Sequence, residues 1–171
     1  MEVYGIEIPK KALSNFELVK YVNILKIPNF RGVFMRDSLP KKPHMIECGI
    51  VNFNTSLEPG SHWVAYYKNK KERIYFDSYG QVILAEVSNY LKTEKEKEND
   101  EAVIQRNTDI VQNFNTQICG HLCLYVLKSL SIGKTFREIL DYLTTKLGAG
   151  ITWTNNMATE LHKPVRKNFM K

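Results

Sequence analysis

The most informative segment of the chain is VQNFNTQICGHLCLYVLKSLS at residues 111–131. Apolar residues recur in it at helical spacing, as Leu122, Val126 and Leu130, and the pattern predicts a buried central helix with Cys119 in its first turn. The backbone N–H groups at a helix start are unpaired and the dipole is positive there, which stabilises a thiolate. Cys119 is therefore a candidate nucleophile. A small buried core cysteine is the competing interpretation, and it suits Cys123 well.

Two segments upstream of Cys119 supply a candidate base and a candidate acid. His62 lies in the stretch SHWVA at residues 61–65, and Asp77 lies in YFDSYG at residues 75–80. The β-branched and aromatic residues here predict two strands that pair as a hairpin and bring both side chains together. A carboxylate beside a histidine fixes its tautomer and stabilises its protonated form. Taken separately, His62 is also typical of a polar strand end, and Asp77 is also typical of the first residue of a turn.

Gln112, seven residues before Cys119, is the candidate oxyanion donor. Its side-chain amide, with the backbone N–H groups near Cys119, would hold the oxyanion of a tetrahedral intermediate, and one such donor is worth about 3 kcal/mol. Gln117 competes for this role. If His62 is not the base, His121 and His44 are the next candidates.

The pattern of the remaining chain predicts an α+β protein. Residues 14–17 form a capping box for an amphipathic helix that runs until Pro28. The other predicted elements are, in chain order, a strand at 46–53, the two hairpin strands at 63–67 and 74–76, a solvated helix end or loop at 92–101, a short strand at 102–105 and a helix at 136–147. We predict one domain over residues 1–147, followed by a basic tail or linker over residues 148–171.

Composition restricts the setting in which the protein works. Three cysteines in 171 residues cannot form a disulfide framework, which indicates a reducing compartment. No signal-peptide pattern and no membrane-length apolar run is present, so we expect an intracellular protein of cytoplasm or nucleus with no membrane partner. The net charge of +6 favours weak, non-specific and salt-dependent binding to DNA or another polyanion.

The order His, acid, Gln, Cys resembles that of the adenovirus-type (adenain) cysteine proteases and of their relatives in virus-like transposons. Four motifs in this order are much more specific than any of them alone, and the resemblance spans roughly residues 15–145. The similar segments are GVFMRD at 32–37, ECGIVN at 47–52, GSHWVA at 60–65, YFDSYG at 75–80, Gln112, and NTQICGHL at 115–122.

The resemblance implies a papain-like core with permuted residue order, in which a small mixed β-sheet packs on the helix that carries the nucleophile. It implies that Cys119 attacks, His62 is the base, Asp77 orients it and Gln112 completes the oxyanion hole, with no metal or cofactor. Trp63 and Gly120 are the candidates for substrate contact. The implied substrates are viral or transposon precursor proteins cut at Gly-containing sites, which also makes the virion a candidate location.

Three questions stay open at the level of sequence. The same core occurs in proteases of ubiquitin-like modifiers, so a modifier is an alternative substrate. A catalytically idle nucleic-acid or capsid interaction module is an alternative of a different class. Adenovirus proteases are stimulated by a viral peptide and by DNA, and no position here clearly matches the cysteine that tethers the peptide, which leaves peptide activation undecided.

Overall fold

The computed structural model of the chain describes residues 1–58, 60–99, 103–113 and 116–148. The strands are β1 (Glu2–Val3), β2 (Ile6–Glu7), β3 (Phe30–Met35), β4 (Glu47–Asn52), β5 (Trp63–Lys68), β6 (Arg73–Phe76) and β7 (Gln105–Arg106). The helices are α1 (Asn15–Leu25), α2 (Ala85–Leu91), α3 (Glu94–Asn99), α4 (Cys119–Ser131) and α5 (Phe136–Leu143), which continues into a π-helical turn (Thr144–Gly148).

Five strands form one mixed sheet in the order β3-β4-β5-β6-β7. The two outer pairs are parallel, and the two inner pairs are antiparallel. The predicted hairpin is confirmed as β5 and β6, with Ala65 opposite Phe76 and Lys68 opposite Arg73. Asn69 closes its turn, because its backbone N–H donates to Glu72 O over 3.0 Å and its side-chain Oδ1 accepts from Glu72 N over 2.8 Å. This turn fixes the register of the hairpin.

Both faces of the sheet are covered, which explains why β4 is buried along its whole length. On one face, Trp63 and Ala65 of β5 pack with α1 and α4 in the main core. On the other face, Val64 and Tyr66 pack with α2. Burial of one large apolar side chain contributes about 1.5–3 kcal/mol. The predicted α+β architecture, with a mixed sheet against a central helix that begins at Cys119, is confirmed.

The helix predicted from residues 14–17 is confirmed as α1, and so is its capping box. Ser14 Oγ accepts from Glu17 N over 3.2 Å, and Glu17 Oε1 accepts from Ser14 N over 3.0 Å. The helix ends at Leu25, earlier than predicted, because Lys26 adopts a left-handed conformation with φ of 54°.

The sequence pattern does not predict β1, β2, β3 or α2. β1 and β2 have two residues each, and α2 has seven, so none is long enough to show a period. In β3 every residue except Met35 is half-buried, which removes the alternation expected of a strand with one buried face. β3 and α2 also depend on partners that are distant in sequence.

Other boundaries differ by a few residues. The charged segment predicted as a helix end or loop contains α3, and the strand predicted at 102–105 is β7, which begins at Gln105. The predicted helix at 136–147 is α5 with its π-helical turn, and it begins at a second capping box between Thr135 and Glu138. All but the first residue of the predicted tail at 148–171 lies outside the described residues. Within the described part of the chain, no helix is both long and apolar enough to span a membrane.

Candidate active site

Cys119 is the first residue of α4 and is only 6% exposed. Ile118, at the N-cap, makes no side-chain hydrogen bond to the start of the helix. The first N–H groups of α4 are therefore left without the usual side-chain cap, and they can interact with an anion at this end of the helix. Such an environment suits both a thiolate and the oxyanion that its attack on a carbonyl creates.

The hairpin brings His62 and Asp77 together. His62 directly precedes β5 and Asp77 directly follows β6, so both lie at the same end of the sheet. His62 Nε2 is 2.7 Å from Asp77 Oδ1, and both residues are buried. The Cys119 side chain is close enough to the His62 ring to act on it, and it raises the pKa of His62. Because Asp77 occupies Nε2, Nδ1 is the ring nitrogen left for the sulfur.

The pKa of His62 is raised above the ordinary value of histidine. Burial is the largest single influence and lowers this pKa, because it disfavours the charged ring. The charge and hydrogen bond of Asp77 raise it, and so does Cys119, and together they outweigh burial. The raised pKa favours the imidazolium form of His62, which is the partner that a nucleophilic thiolate needs.

Two aromatic side chains hold the His62 ring in position. The Tyr79 ring centroid lies 4.8 Å from the centroid of the His62 ring, and that of Phe53 lies 6.1 Å away. Tyr79 also donates its backbone N–H to Asp77 Oδ1 over 2.9 Å. Phe53 is fixed in turn by Arg36, whose guanidinium lies 5.7 Å from the ring and donates to Phe53 O over 3.2 Å. The imidazole thus has little freedom to leave Asp77.

Asn107 is a residue of the site that no sequence motif predicts. Its Oδ1 accepts from Asp77 N over 3.0 Å, and its Nδ2 donates to Asp77 O over 2.5 Å and to Asp109 O over 3.2 Å. The side chain is buried and holds both polar groups of the Asp77 backbone. Asn107 belongs to none of the motifs, and only the pairing of β6 with β7 brings it here.

Asn107→Ala is expected to lower the free energy of unfolding by about 1–3 kcal/mol, because it leaves the N–H of Asp77 buried without its partner and removes one of the two hydrogen bonds to the Asp77 C=O. Urea denaturation monitored by circular dichroism measures this loss. Asn23→Ala, at an exposed position of α1, is the matched control and should change stability little. Equal effects of the two substitutions would contradict this role of Asn107.

Gln112 is 1% exposed. It contacts the turn at residues 77–80, here called the acid turn because it begins at Asp77. Its Oε1 accepts from Ser78 Oγ over 2.6 Å, and its Nε2 donates to Thr116 O over 2.9 Å. Gln117, the competing candidate, is exposed, and its Oε1 accepts from Ala12 N over 3.3 Å. Gln112, unlike Gln117, hydrogen bonds with the residue after Asp77 and with the loop before Cys119.

The structure places the two predicted substrate contacts in the core. Trp63 is fully buried, and its Nε1 donates to Leu13 O over 2.9 Å. Gly120 is buried too, and a Cβ there would lie 3.1 Å from Leu18 and 3.4 Å from the Trp63 ring. The physical reason is that β5 and α4 pack directly on each other. The Trp63 side chain therefore has a packing role, and contact of Trp63 and Gly120 with a substrate stays a prediction.

The alternative bases lie elsewhere. His121 is buried, and its Nε2 is bonded to Pro9 O over 2.7 Å. His44 is exposed, and its backbone N–H donates to Glu47 Oε1 over 2.5 Å. Among the residues that the structure describes, no group of three or more His, Cys, Asp or Glu side chains could hold a metal ion.

Comparison with known proteins identifies the fold. No protein-family model matches the chain, and no curated protein sequence matches it. Among solved structures, it is similar to the crystal structure of the ASFV pS273R protease, with a TM-score of 0.55 and 16% identity over 94% of this chain and 69% of that one. The selenomethionine form of the same protease matches with a TM-score of 0.53 and 14% identity over 90% of this chain and 68% of that one. The chain therefore shares the overall fold of that viral protease.

Proposed function

We propose that this protein is a cysteine endopeptidase in which Cys119 is the nucleophile, His62 the base, Asp77 the residue that orients it and Gln112 a donor of the oxyanion hole. The observation that carries the proposal is the position of His62, which is 2.7 Å from Asp77 Oδ1 and close enough to the Cys119 thiol at the start of α4 for the thiol to raise its pKa. The fold shared with the ASFV pS273R protease supports it.

The geometry suits acyl transfer. The Cys119 thiolate adds to the carbonyl carbon of the scissile bond, and the oxyanion accepts hydrogen bonds from Gln112 Nε2 and from N–H groups at the start of α4. The His62 imidazolium then gives its proton to the leaving amine, which leaves an acyl-enzyme. Water hydrolyses the thioester, with His62 as the base that takes its proton. Asp77 keeps the imidazole in place throughout.

For the substrate, we propose precursor proteins of a virus or transposon cut at Gly-containing sites, as the adenain-type motifs imply. The alternative within the enzyme class is a protease of ubiquitin-like modifiers, and the alternative outside it is an idle interaction module. Weak polyanion binding, the intracellular or virion location and the boundary between domain and tail also stay predictions, and peptide activation stays undecided.

Iodoacetamide at neutral pH is expected to modify Cys119 before the other two cysteines. Burial raises the pKa of Cys48 to about 12 and raises that of Cys123 as well, so both stay protonated and shielded in the folded protein. Mass spectrometry of tryptic peptides identifies the labelled residue, with the urea-unfolded protein as the control in which all three react.

The same sample then tests activity. Unlabelled protein should cut members of a peptide library, and labelled protein should cut none. Cleavage only of a modifier that ends in Gly-Gly would favour the alternative protease. Labelling of Cys119 without cleavage of peptide, precursor or modifier would favour the interaction module and contradict the proposed function.

A further inference from the structure

Ser78 is a buried polar residue that has no part in the proposed reaction so far. It follows Asp77 directly and is 0% exposed. Its hydroxyl donates to Gln112 Oε1 over 2.6 Å, and its carbonyl oxygen accepts from Val111 N over 2.9 Å. Ser78 therefore contacts the segment of Gln112 through both its side chain and its backbone.

The partners of Gln112 determine which way round its amide lies. The carbonyl oxygen of Thr116 can only accept, so the amide nitrogen must point towards it. The amide oxygen then points to the hydroxyl of Ser78, which can donate. An amide nitrogen carries two N–H groups, and Thr116 O takes one of them, so the second can serve an oxyanion near Cys119.

Without the Ser78 hydroxyl, the Gln112 amide loses one of the two hydrogen bonds that orient it. Gln112 Oε1 would be buried without a donor, which is costly for a buried acceptor. The side chain would gain by rotating to find another donor, and its nitrogen would leave the loop that precedes Cys119. A misplaced donor loses most of its value, because an oxyanion hole depends on groups that are in place before charge develops.

We propose that Ser78 is a positioning residue for the oxyanion hole. It holds the Gln112 amide with its nitrogen directed towards the loop before Cys119. This inference rests on the proposed function. It makes the acid turn serve both sides of the reaction, because Asp77 orients the base and the next residue orients the oxyanion donor. Asp77 and Gln112 are then held by a single turn of backbone at residues 77–80, closed by the hydrogen bond from Gly80 N to Asp77 O at 2.8 Å.

Ser78→Ala is expected to lower kcat for a cleaved peptide by at least about tenfold, but by less than the roughly 100-fold that loss of a whole donor costs. KM should change little, because the oxyanion forms only after the substrate is bound. Ser129→Ala is the matched control, since Ser129 is equally buried but hydrogen bonds with Tyr4 OH at the far end of α4. It should leave kcat unchanged.

Alkylation separates this role from general damage to the site. Iodoacetamide reacts by displacement at a CH₂ group and creates no oxyanion, so the rate of Cys119 labelling should be the same in Ser78→Ala and wild type. A peptide aldehyde reacts differently, because the sulfur adds to its carbonyl carbon and the former carbonyl oxygen enters the oxyanion hole. Its inhibition constant should rise by about the same factor as kcat falls.

A second test combines Ser78→Ala with Gln112→Ala and asks whether the two substitutions act through the same group. Gln112→Ala should lower kcat by about 100-fold, and adding Ser78→Ala to it should lower kcat no further, because the group that Ser78 positions is already gone. Additive losses in the double variant would show that Ser78 acts elsewhere.

Two more results would overturn the inference. One is an unchanged kcat in Ser78→Ala, and the other is a parallel loss of alkylation rate, which would place the defect in the thiol and its base. If Ser78→Ala does not fold, Ser78→Cys keeps the size with a weaker donor and should show an intermediate kcat, with wild-type kcat as the contradicting result. Wild-type protein that cuts no peptide would instead refute the proposed function itself.

Discussion

Cys119→Ala should abolish peptide cleavage, with a loss of at least about 10⁴-fold in kcat, because no other group can form the acyl-enzyme. The fold should persist, since the substitution removes one sulfur from the first turn of a helix and alanine is a good helix former. Progress curves with a fluorogenic peptide and the circular dichroism spectrum of the same preparation measure the two effects.

Cys123→Ala is the matched control for this experiment. Cys123 lies one helical turn further along α4 and is 0% exposed, so its loss leaves a cavity in the main core. We expect about 1–2 kcal/mol less stability and nearly unchanged cleavage by the folded protein. Cleavage at the wild-type rate by Cys119→Ala would refute the assignment of the nucleophile, whatever the behaviour of Cys123→Ala.

His62→Ala should lower kcat by about 10⁴-fold or more, and Asp77→Asn should be about tenfold to 100-fold milder. The difference follows from the contacts of Asp77, because its Oδ1 receives the hydrogen bonds from both His62 and Tyr79. An asparagine keeps that oxygen, loses the charge and carries an NH₂ group in place of Oδ2. Steady-state rates of the two variants give the order, and equally small losses would point to another base and acid.

The pH profile of Asp77→Asn adds a readout with a definite sign. In the wild type, the Asp77 carboxylate helps to raise the pKa of His62, so the loss of its charge must lower that pKa. Activity requires the imidazolium as proton donor to the leaving amine. The alkaline limb of kcat/KM should therefore move to lower pH in Asp77→Asn, and an unmoved limb would show that His62 does not set it.

The elements that local signals specify are the ones that the sequence predicts well. The capping box of α1 lies within four residues, and the apolar period of α4 lies within one helix, so both are visible in the chain itself. The hairpin of β5 and β6 follows from two strand patterns around one charged turn. The hairpin is enough to predict that His62 and Asp77 are neighbours.

Contacts between distant segments could not be predicted. Asn107 meets Asp77 across 30 residues of chain, and Ser78 meets Gln112 across 34. No periodicity or spacing encodes such pairs, since each depends on how β7 and the loop before α4 are placed. The burial of Trp63 could not be predicted either, because it depends on the packing of α4 on β5.

The turn at residues 69–72 should tolerate insertions and deletions that the strands beside it do not. Side chains alternate between the faces of a strand, so His62 and Asp77 meet only while Ala65 stays opposite Phe76. One residue gained or lost inside β5 or β6 would send one of the pair to the opposite face, even if the strands paired again. Residues added to the turn leave that alternation untouched when the register is kept. The hairpin therefore accepts changes of length at its solvent-facing end and rejects them along the strands that lead to the catalytic pair.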